Sequence, residues 1–416
     1  MDLFKILINT VFLQISIASM VAKKLQDREQ DDGGLMRLAY AFFDIKLRRF
    51  LNIPLKEVPF IILYLTKRCN LKCMMCDQWK TDKKTIEKEI STRNWLRVID
   101  AAAKLKPMMI VLGGGEPLAR PDIFQIITHL TKRNLRYHLC TNGMLLNKVN
   151  LSRLKAYPPS TISVSLDGNN AQVHNELRGV NCFSQVLNGI HLSKEELLTT
   201  RIGINFLLCK KNFKNLHRMV PFAKRLGVDR LNLLPINTNL LHRDKSLESF
   251  SGLLFLEKDI PELEKELTKF RNAAARWRLK TNSAIFLDRI PRLYDGKRKT
   301  NRACPAGYAS IGIDSYGRMA PCADMDGISC IRNGKIKDFR TLMASPDYAI
   351  LRKKVKHCQV NCWDTINGEL SIRFSMANIP FSFMNWLKDT KYYIGSAKVS
   401  ARDSREMKMN RGGWMK

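Results

Sequence analysis

The sequence predicts an α/β fold built on parallel strands, and two observations predict it. From residue 58 onward, six short apolar segments alternate with longer amphipathic ones, which is the pattern of strands joined by crossover helices. The chain also has 416 residues with 45% hydrophobic content, enough for one large domain and a smaller one. A doubly wound sheet and an incomplete barrel both satisfy this pattern.

The individual elements follow from the lengths of the apolar runs and from capping residues, with Ser91 as the N-cap of the first helix. The predicted strands are Val58–Thr66, Met108–Leu112, Arg136–Cys140, Thr161–Leu166, Arg201–Leu208 and Arg230–Pro235. The predicted helices are Thr92–Lys106, Asp122–Arg133, Asn147–Ala156, Phe183–Glu196, Lys214–Leu226 and Pro261–Arg278. The carboxyl ends of the strands form the edge where α/β folds bind ligands.

Three cysteines, Cys69, Cys73 and Cys76, lie directly after the first predicted strand. Three thiolates suit a metal centre with one open coordination position, since a structural zinc site wants four protein ligands and a four-iron cluster normally takes four cysteines. Two other interpretations stay open on spacing alone. They are a zinc site completed by a distant ligand, and thiols that are merely buried.

The second strand ends in Gly113-Gly114-Gly115-Glu116-Pro117. Glycines let a ligand approach the backbone closely and leave amides free to bind it. The Glu116 carboxylate would hold a cationic group such as an ammonium. The competing interpretation is a tight turn with a glutamate on the surface, but the position at the carboxyl edge of a parallel strand favours ligand binding.

Polar residues close the next strands at the same edge. The third strand ends in Thr141-Asn142-Gly143, and Ser165 and Asp167 alternate onto one face at the end of the fourth. Their hydroxyl and carboxylate groups could hydrogen-bond a ribose. Asn205 lies on the fifth strand and Asn212 just after it. Each residue alone is consistent with turn chemistry, but together they mark the rim that carries the cysteines.

The motif Cys69-x3-Cys73-x2-Cys76, followed by Gly-Gly-Glu-Pro after the next strand, resembles the radical S-adenosylmethionine (radical SAM) superfamily over about residues 58 to 240. The resemblance implies a partial (β/α)6 TIM barrel. It implies that the three cysteines bind three irons of a [4Fe–4S] cluster and that SAM chelates the fourth. One electron would then cleave SAM reductively, and the 5′-deoxyadenosyl radical would abstract a hydrogen atom from a substrate.

The resemblance also assigns residues to SAM, with the Gly-Gly-Glu-Pro motif at the methionyl amino group and the fourth strand at the ribose. The expected cofactor-binding residues are Gly114, Gly115, Glu116, Pro117, Ser165, Asp167 and Asn205. The sequence departs from the family at Met75, where an aromatic residue usually packs near the adenine. A thioether can fill an apolar gap, so we expect SAM binding to be retained.

A second group of cysteines begins at Cys304. Its Cys…Gly-x4-Cys pattern resembles the SPASM/twitch extension of some radical SAM enzymes, which implies an auxiliary [4Fe–4S] cluster. The expected ligands are Cys304, Cys322, Cys358 and Cys362. Cys330 could replace one of them or bind nothing, and a structural zinc held by the same four thiolates is the alternative. A hairpin is predicted from Tyr308–Asp314 and Gly317–Ala320.

The remaining features are less specific. Cys140, Cys182 and Cys209 lie in or beside apolar runs and are predicted core residues. The net charge of +32 fits an acidic peptide, a nucleic acid, an anionic membrane or simply a solvated basic surface. The apolar run Ile6–Ala22 and the mixed segment Leu35–Leu51 indicate peripheral membrane contact, or in the second case an ordinary packed helix.

The resulting hypothesis is a cytoplasmic radical SAM enzyme of the oxidoreductase or transferase type. Any association with a membrane would be through its N-terminal segment. Its expected partners are a reductant such as flavodoxin or ferredoxin and a small-molecule, peptide or lipid substrate, with no nucleic acid. The alternatives are a zinc-stabilised binding protein without radical chemistry and a ferredoxin-like carrier. The expected divisions are an N-terminal segment 1–57, a core 58–255, a connecting helix 256–300, an auxiliary-cluster domain 301–365 and a basic extension 366–416.

Overall fold

Six parallel strands form the centre of the computed structural model, which describes residues 44, 45, 47–236, 252–295, 304–358 and 363–373. The strands are β1 (Phe60–Tyr64), β2 (Met109–Gly113), β3 (Tyr137–Thr141), β4 (Thr161–Ser165), β5 (Arg201–Leu208) and β6 (Arg230–Pro235). They pair in the order β6-β5-β4-β3-β2-β1, so each strand is added on the same side of the one before. A doubly wound sheet reverses its order at a switch point. This sheet does not, and the predicted partial barrel is confirmed.

Helices connect the barrel strands and continue after β6. From β1 onward, the α-helices of the described residues are α1 (Lys83–Glu87), α2 (Thr92–Ala103), α3 (Ile123–Lys132), α4 (Lys148–Ala156), α5 (Ala171–Arg178), α6 (Phe183–Glu196), α7 (Met219–Arg225), α8 (Ile260–Arg276), α9 (Ala284–Arg289), α10 (Phe339–Ala344), α11 (Pro346–Lys356) and α12 (Asn367–Arg373). The predicted N-cap of α2 is present, because the Ser91 hydroxyl accepts a hydrogen bond from the Asn94 amide.

The barrel strands end within two residues of their predicted bounds. The predicted helix Lys214–Leu226 begins instead with a 3-10 turn, Leu216–Arg218, which leads into α7. Helix α5 was not predicted. It is short, begins with Asn170 as N-cap and ends at Gly179, whose φ of +71° is the left-handed conformation that glycine adopts readily.

The cysteine-rich C-terminal part continues the barrel sheet. Strand β7 (Ser310–Ile313) pairs in parallel with β1, and β8 (Arg318–Ala320) and β9 (Ile328–Ser329) follow in antiparallel order. The predicted hairpin is therefore confirmed. A separate two-stranded ribbon joins β10 (Ile331–Arg332) to β11 (Lys335–Ile336). Because β7 lies beside β1, the hairpin between Cys304 and Cys322 adjoins the strand that leads into the first cysteine group.

Among the described residues, no helix has the length and apolar character needed to cross a membrane. The segment Ile6–Ala22 lies outside the described residues, as does most of Leu35–Leu51.

Candidate functional site

The loop after β1 places three thiols at the carboxyl edge of the barrel. Cys73 is buried, whereas Cys69 and Cys76 are half-buried. The loop is fixed against the end of α5, because the amides of Lys72 and Met74 donate hydrogen bonds to the carbonyls of Arg178 and Leu177, respectively. Gly179 permits this contact, since a Cβ at that position would lie 2.2 Å from the Lys72 carbonyl oxygen.

The environment of the thiols disfavours bare thiolates. Burial raises the pKa of Cys76 to about 11, and the neighbouring thiols Cys73 and Cys69 raise it further. Burial likewise raises the pKa of Cys69. Thiols of this kind become good ligands when a cationic centre compensates their charge. The donor set therefore fits an iron–sulfur cluster, which takes cysteine thiolates as ligands.

The same three thiols interact electrostatically with one another. In the part of the chain that the structure describes, no three His, Cys, Asp or Glu side chains are packed closely enough to hold a single metal ion.

The Gly-Gly-Glu motif packs directly against the chain that enters the cysteine loop. A Cβ on Gly114 would lie 2.5 Å from the Thr66 carbonyl oxygen, and one on Gly115 would lie 2.2 Å from that of Arg68. The amides of Gly115 and Glu116 donate 2.7 Å hydrogen bonds to these two carbonyls. The expectation that the glycines leave amides free was wrong at Gly115, whose amide is bound to the Thr66 carbonyl. The glycines instead allow two backbones to meet beside the thiols.

Glu116 is fully buried, which excludes the alternative of a surface glutamate on a tight turn. Its carboxylate accepts hydrogen bonds from the Thr141 hydroxyl at 2.9 Å and from the amides of Asn142 and Leu118 at 2.7 and 3.1 Å. Burial raises its pKa to about 7, although these hydrogen bonds lower it. The carboxylate therefore ties the end of β2 to the end of β3.

Asn142 extends this connection to the cysteine loop. Its side-chain amide donates a 2.7 Å hydrogen bond to Asn70 Oδ1, while its backbone amide binds Glu116. Asn70 directly follows Cys69 in the chain. One chain of hydrogen bonds thus joins the ends of β1, β2 and β3 into a continuous rim.

The polar residues predicted on β4 and β5 occupy two different environments. Ser165 and Asn205 are partners in the parallel register of β4 and β5, and both are partly exposed. Asp167 is fully buried, and its Oδ1 accepts a 2.9 Å hydrogen bond from the Leu207 amide. The ribose contacts of Ser165 and Asp167 stay predictions.

Arg178 is the residue that the sequence analysis missed. Its Nε lies 2.7 Å from Asp167 Oδ2, and its Nη1 lies 3.8 Å from Cys73 Sγ. Burial lowers its pKa, but Asp167 and Cys73 more than compensate and raise it. The available signal was the pair Arg178-Gly179, which closes a short polar segment after the strand end Asp167-Gly168.

The structure brings together part of the second cysteine group. Burial raises the pKa of Cys304 to about 12, with further contributions from Asp364 and Cys358. Burial also raises the pKa of Cys322, with contributions from Asp324, Asp364 and Cys304. Cys362 lies outside the described residues. Cys330 is fully buried in the main hydrophobic core.

A cavity of about 670 Å³, including its part open to solvent, lies inside the barrel. Phe60, Met109 and Arg230 begin β1, β2 and β6 and all line it, which places the cavity toward the amino ends of the strands. Residues 365, 366, 369 and 370, around the start of α12, also line it. The other polar lining residues are His138, Ser163, Asn205, Asn232, Asn282, Thr365 and Glu369. The interior is therefore polar as well as apolar.

Comparison with known proteins identifies the family. The sequence profile of the Radical SAM superfamily matches residues 63–220. The AdoMet-dependent heme synthase of Methanosarcina barkeri is 34% identical over 276 residues, which cover 65% of this chain and 78% of that protein. The PqqA peptide cyclase of Granulibacter bethesdensis is 28% identical over 63% of this chain and 67% of its own length.

The fold agrees with this result. Streptococcus suis SuiB bound to S-adenosylmethionine superposes with a TM-score of 0.58 and 16% identity, over 84% of this chain and 79% of that one. The cofactors of the family are a [4Fe–4S] cluster and SAM, and its members with a SPASM extension carry auxiliary clusters. The zinc-binding alternative is not supported. The chain belongs to the radical SAM superfamily and is a radical SAM enzyme.

Proposed function

We propose that the rim at the carboxyl edge of the barrel is the radical-generating site. Cys69, Cys73 and Cys76 would hold the [4Fe–4S] cluster. The residues that would hold SAM are Gly114, Gly115, Glu116, Pro117, Ser165, Asp167 and Asn205. The observation that carries this proposal is the hydrogen-bond chain from Asn70 through Asn142 to Glu116, which fixes the cysteine loop relative to the buried carboxylate.

When bound, the cluster and SAM supply a 5′-deoxyadenosyl radical that abstracts a substrate hydrogen. The residues of the chain would hold the cluster and SAM and orient them. Glu116 offers a buried negative charge for the methionyl ammonium, and burial makes this charge count for more than it would in water. The backbones packed at Gly114 and Gly115 keep that carboxylate in place.

The second cysteine group supports a proposed auxiliary [4Fe–4S] cluster with Cys304, Cys322, Cys358 and Cys362 as ligands. The parallel pairing of β1 with β7, the strand that follows Cys304, supports a location of this cluster beside the barrel. We also propose the domain division given by the sequence, and peripheral membrane contact through residues 1–57.

The substrate that we propose is a peptide, modified at one side chain. The PqqA peptide cyclase is a relative whose name states a peptide substrate, and the net charge of +32 suits an acidic peptide. A second candidate is a porphyrin carboxylate. The observation in its favour is the 34% identity to a heme synthase over 78% of that protein.

One experiment separates the two substrates. Anaerobic, cluster-replete protein is incubated with SAM, dithionite and either a library of acidic peptides or an iron porphyrin carboxylate. The proposal predicts that a peptide increases 5′-deoxyadenosine formation and is recovered with a changed mass. An increase with the porphyrin alone would support the second candidate and reject the first.

A further inference from the structure

The chain that precedes the barrel is bound to the second cysteine group. Arg49 donates a 3.1 Å hydrogen bond from Nε to the carbonyl oxygen of Cys304, which lies 255 residues further along the chain. Near it, Asn52 Oδ1 accepts a 2.6 Å hydrogen bond from the hydroxyl of Tyr308. The end of the N-terminal segment is therefore in direct contact with the region that carries the proposed auxiliary cluster.

Among the described residues, the half-buried guanidinium of Arg49 has no carboxylate within ion-pair distance, whereas the neighbouring Arg48 lies 2.7 Å from Asp44. Burial lowers the pKa of Arg49, and Cys304 and Tyr308 raise it. Burial raises the pKa of Cys304, and the charge of Arg49 acts in the opposite direction. A charge that is partly removed from water costs free energy unless an opposite charge lies beside it. The surroundings of Arg49 therefore favour an anion at Cys304.

A second arginine contacts the same loop. Arg352 on α11 is 2% exposed, and Cζ of its guanidinium lies 5.9 Å from the centroid of the Tyr308 ring. Its Nη1 donates a hydrogen bond to the Met343 carbonyl oxygen, but its buried Nε has no hydrogen-bond partner in the part of the chain that the structure describes. A Cβ at Gly307 would lie 3.2 Å from Arg352 Cγ, so the side chain packs on the loop that follows Cys304.

Negative charge in this region comes from aspartates. Burial raises the pKa of Cys304, and Asp364 raises it further, so Arg49 counteracts Asp364 at this thiol. The Asp364 carboxylate accepts hydrogen bonds of 2.8 and 2.6 Å from the amides of Ile366 and Asn367 at the start of α12. It is therefore held by backbone amides, and the charge of Arg49 stays available for another anion.

We infer that Arg49 is a positioning residue of the auxiliary cluster, which fixes the backbone of Cys304 and raises the reduction potential of the cluster through its positive charge. This inference rests on the proposed ligand set Cys304, Cys322, Cys358 and Cys362. Four thiolates give a four-iron cluster a net negative charge, which is the counter-charge that Arg49 lacks. Because reduction adds one electron to the cluster, a nearby cation stabilises the reduced state more than the oxidised state.

The test isolates the auxiliary cluster in a full-length background in which Cys69, Cys73 and Cys76 are all replaced by alanine. A redox titration with dithionite, followed by electron paramagnetic resonance, measures the midpoint potential of the cluster that remains. In this background, Arg49→Gln should lower the ratio of reduced to oxidised cluster at a fixed potential by about tenfold, which is about 59 mV for a one-electron couple. Arg49→Lys retains the positive charge and should retain most of the potential.

Arg48→Gln is the matched control. It removes the neighbouring charge, which pairs with Asp44 and donates a hydrogen bond to the Pro54 carbonyl oxygen, so the potential should not change. Iron analysis of each variant shows whether the cluster is bound. Iron that is lost from Arg49→Gln but retained by Arg49→Lys would support the same inference, because only the charge differs in sign of effect between these two variants.

Three results would overturn the inference. The first is an equal potential in Arg49→Gln and in the background protein. The second is an equal decrease in Arg49→Gln and Arg48→Gln, which would assign the effect to packing of the whole segment. The third is a folded background protein that binds no cluster, which would reject the proposed auxiliary cluster itself.

Discussion

The guanidinium of Arg178 lies between Asp167 and the cysteine loop, with Nη1 3.8 Å from Cys73 Sγ and Nε 2.7 Å from the carboxylate. This arrangement buries a positive charge beside a proposed cluster ligand and holds it there with a negative one. Positive charge near an iron–sulfur cluster is one of the factors that set its reduction potential. The Arg178–Asp167 pair therefore contributes to the stability of the fold and to the positive charge beside Cys73.

Arg178→Met is expected to destabilise the protein by about 3–5 kcal/mol, because it leaves the Asp167 carboxylate buried and unpaired. Adding Asp167→Asn removes that charge, so the double variant should recover part of the loss. Urea unfolding measures both effects. Lys155→Met, which breaks an exposed ion pair with Glu196, should cost no more than about 1 kcal/mol. Equal losses in the Arg178 and Lys155 variants would contradict this account.

Gly115→Ala is expected to prevent correct formation of the cysteine loop, because its Cβ would lie 2.2 Å from a backbone oxygen of Arg68 and neither backbone can move freely. Gly113→Ala provides the matched control two residues earlier, since a Cβ there would meet nothing within 4 Å. The measurement is the thermal midpoint together with iron content after reconstitution. Similar values for the two alanine variants would show that the close approach at Gly115 has no structural role.

Glu116 should make the stability of the cluster-free protein depend on pH. Burial raises its pKa from 4.5 to about 7, so the folded state holds the proton more tightly than the unfolded state does. The associated stability is fully present below pH 4.5 and is lost as pH rises toward about 7, by about 3 kcal/mol in total.

Glu116→Gln removes this titration, since glutamine stays neutral. Unfolding curves of both proteins, measured from acidic to neutral pH, should therefore show the unmodified protein losing stability relative to the variant. A constant difference between the two across this range would mean that Glu116 does not titrate as its burial requires.

Cys322→Ala is expected to lower the iron content from about eight to about four per chain, because a second four-iron cluster would lose a ligand. Cys330→Ala tests the other buried cysteine of the same region, and it should retain all of the iron because Cys330 lies in the hydrophobic core. Iron and sulfide analysis of anaerobically purified protein measures both. Loss of iron from the Cys330 variant alone would reassign the ligand set.

Much of the barrel could be predicted because each strand is an apolar run with a distinct polar end, so strand positions follow from local sequence. The choice between a doubly wound sheet and a barrel needed the pairing order, which local sequence does not contain. The family motif, by contrast, places Cys69, Cys73 and Cys76 at the correct strand end without any tertiary information.

The contacts within the site could not be predicted in the same way. Arg178 and Cys73 are 105 residues apart in the chain, and their contact depends on where α5 packs. The bonding of the Gly115 amide to Thr66 depends on how the ends of β1 and β2 meet. For the same reason, the sequence did not show that Asp167 is bound to a buried arginine.

The central claim is that the loop after β1 supports reductive cleavage of SAM, and the most direct measurement is 5′-deoxyadenosine formation by anaerobically purified, dithionite-reduced protein. We predict that the unmodified protein and a Cys209→Ala control, which alters a buried cysteine at the end of β5, release 5′-deoxyadenosine, whereas Cys73→Ala releases none. If protein with a verified [4Fe–4S] cluster bound no SAM, or if Cys73→Ala cleaved SAM as well as the unmodified protein, the claim would be contradicted.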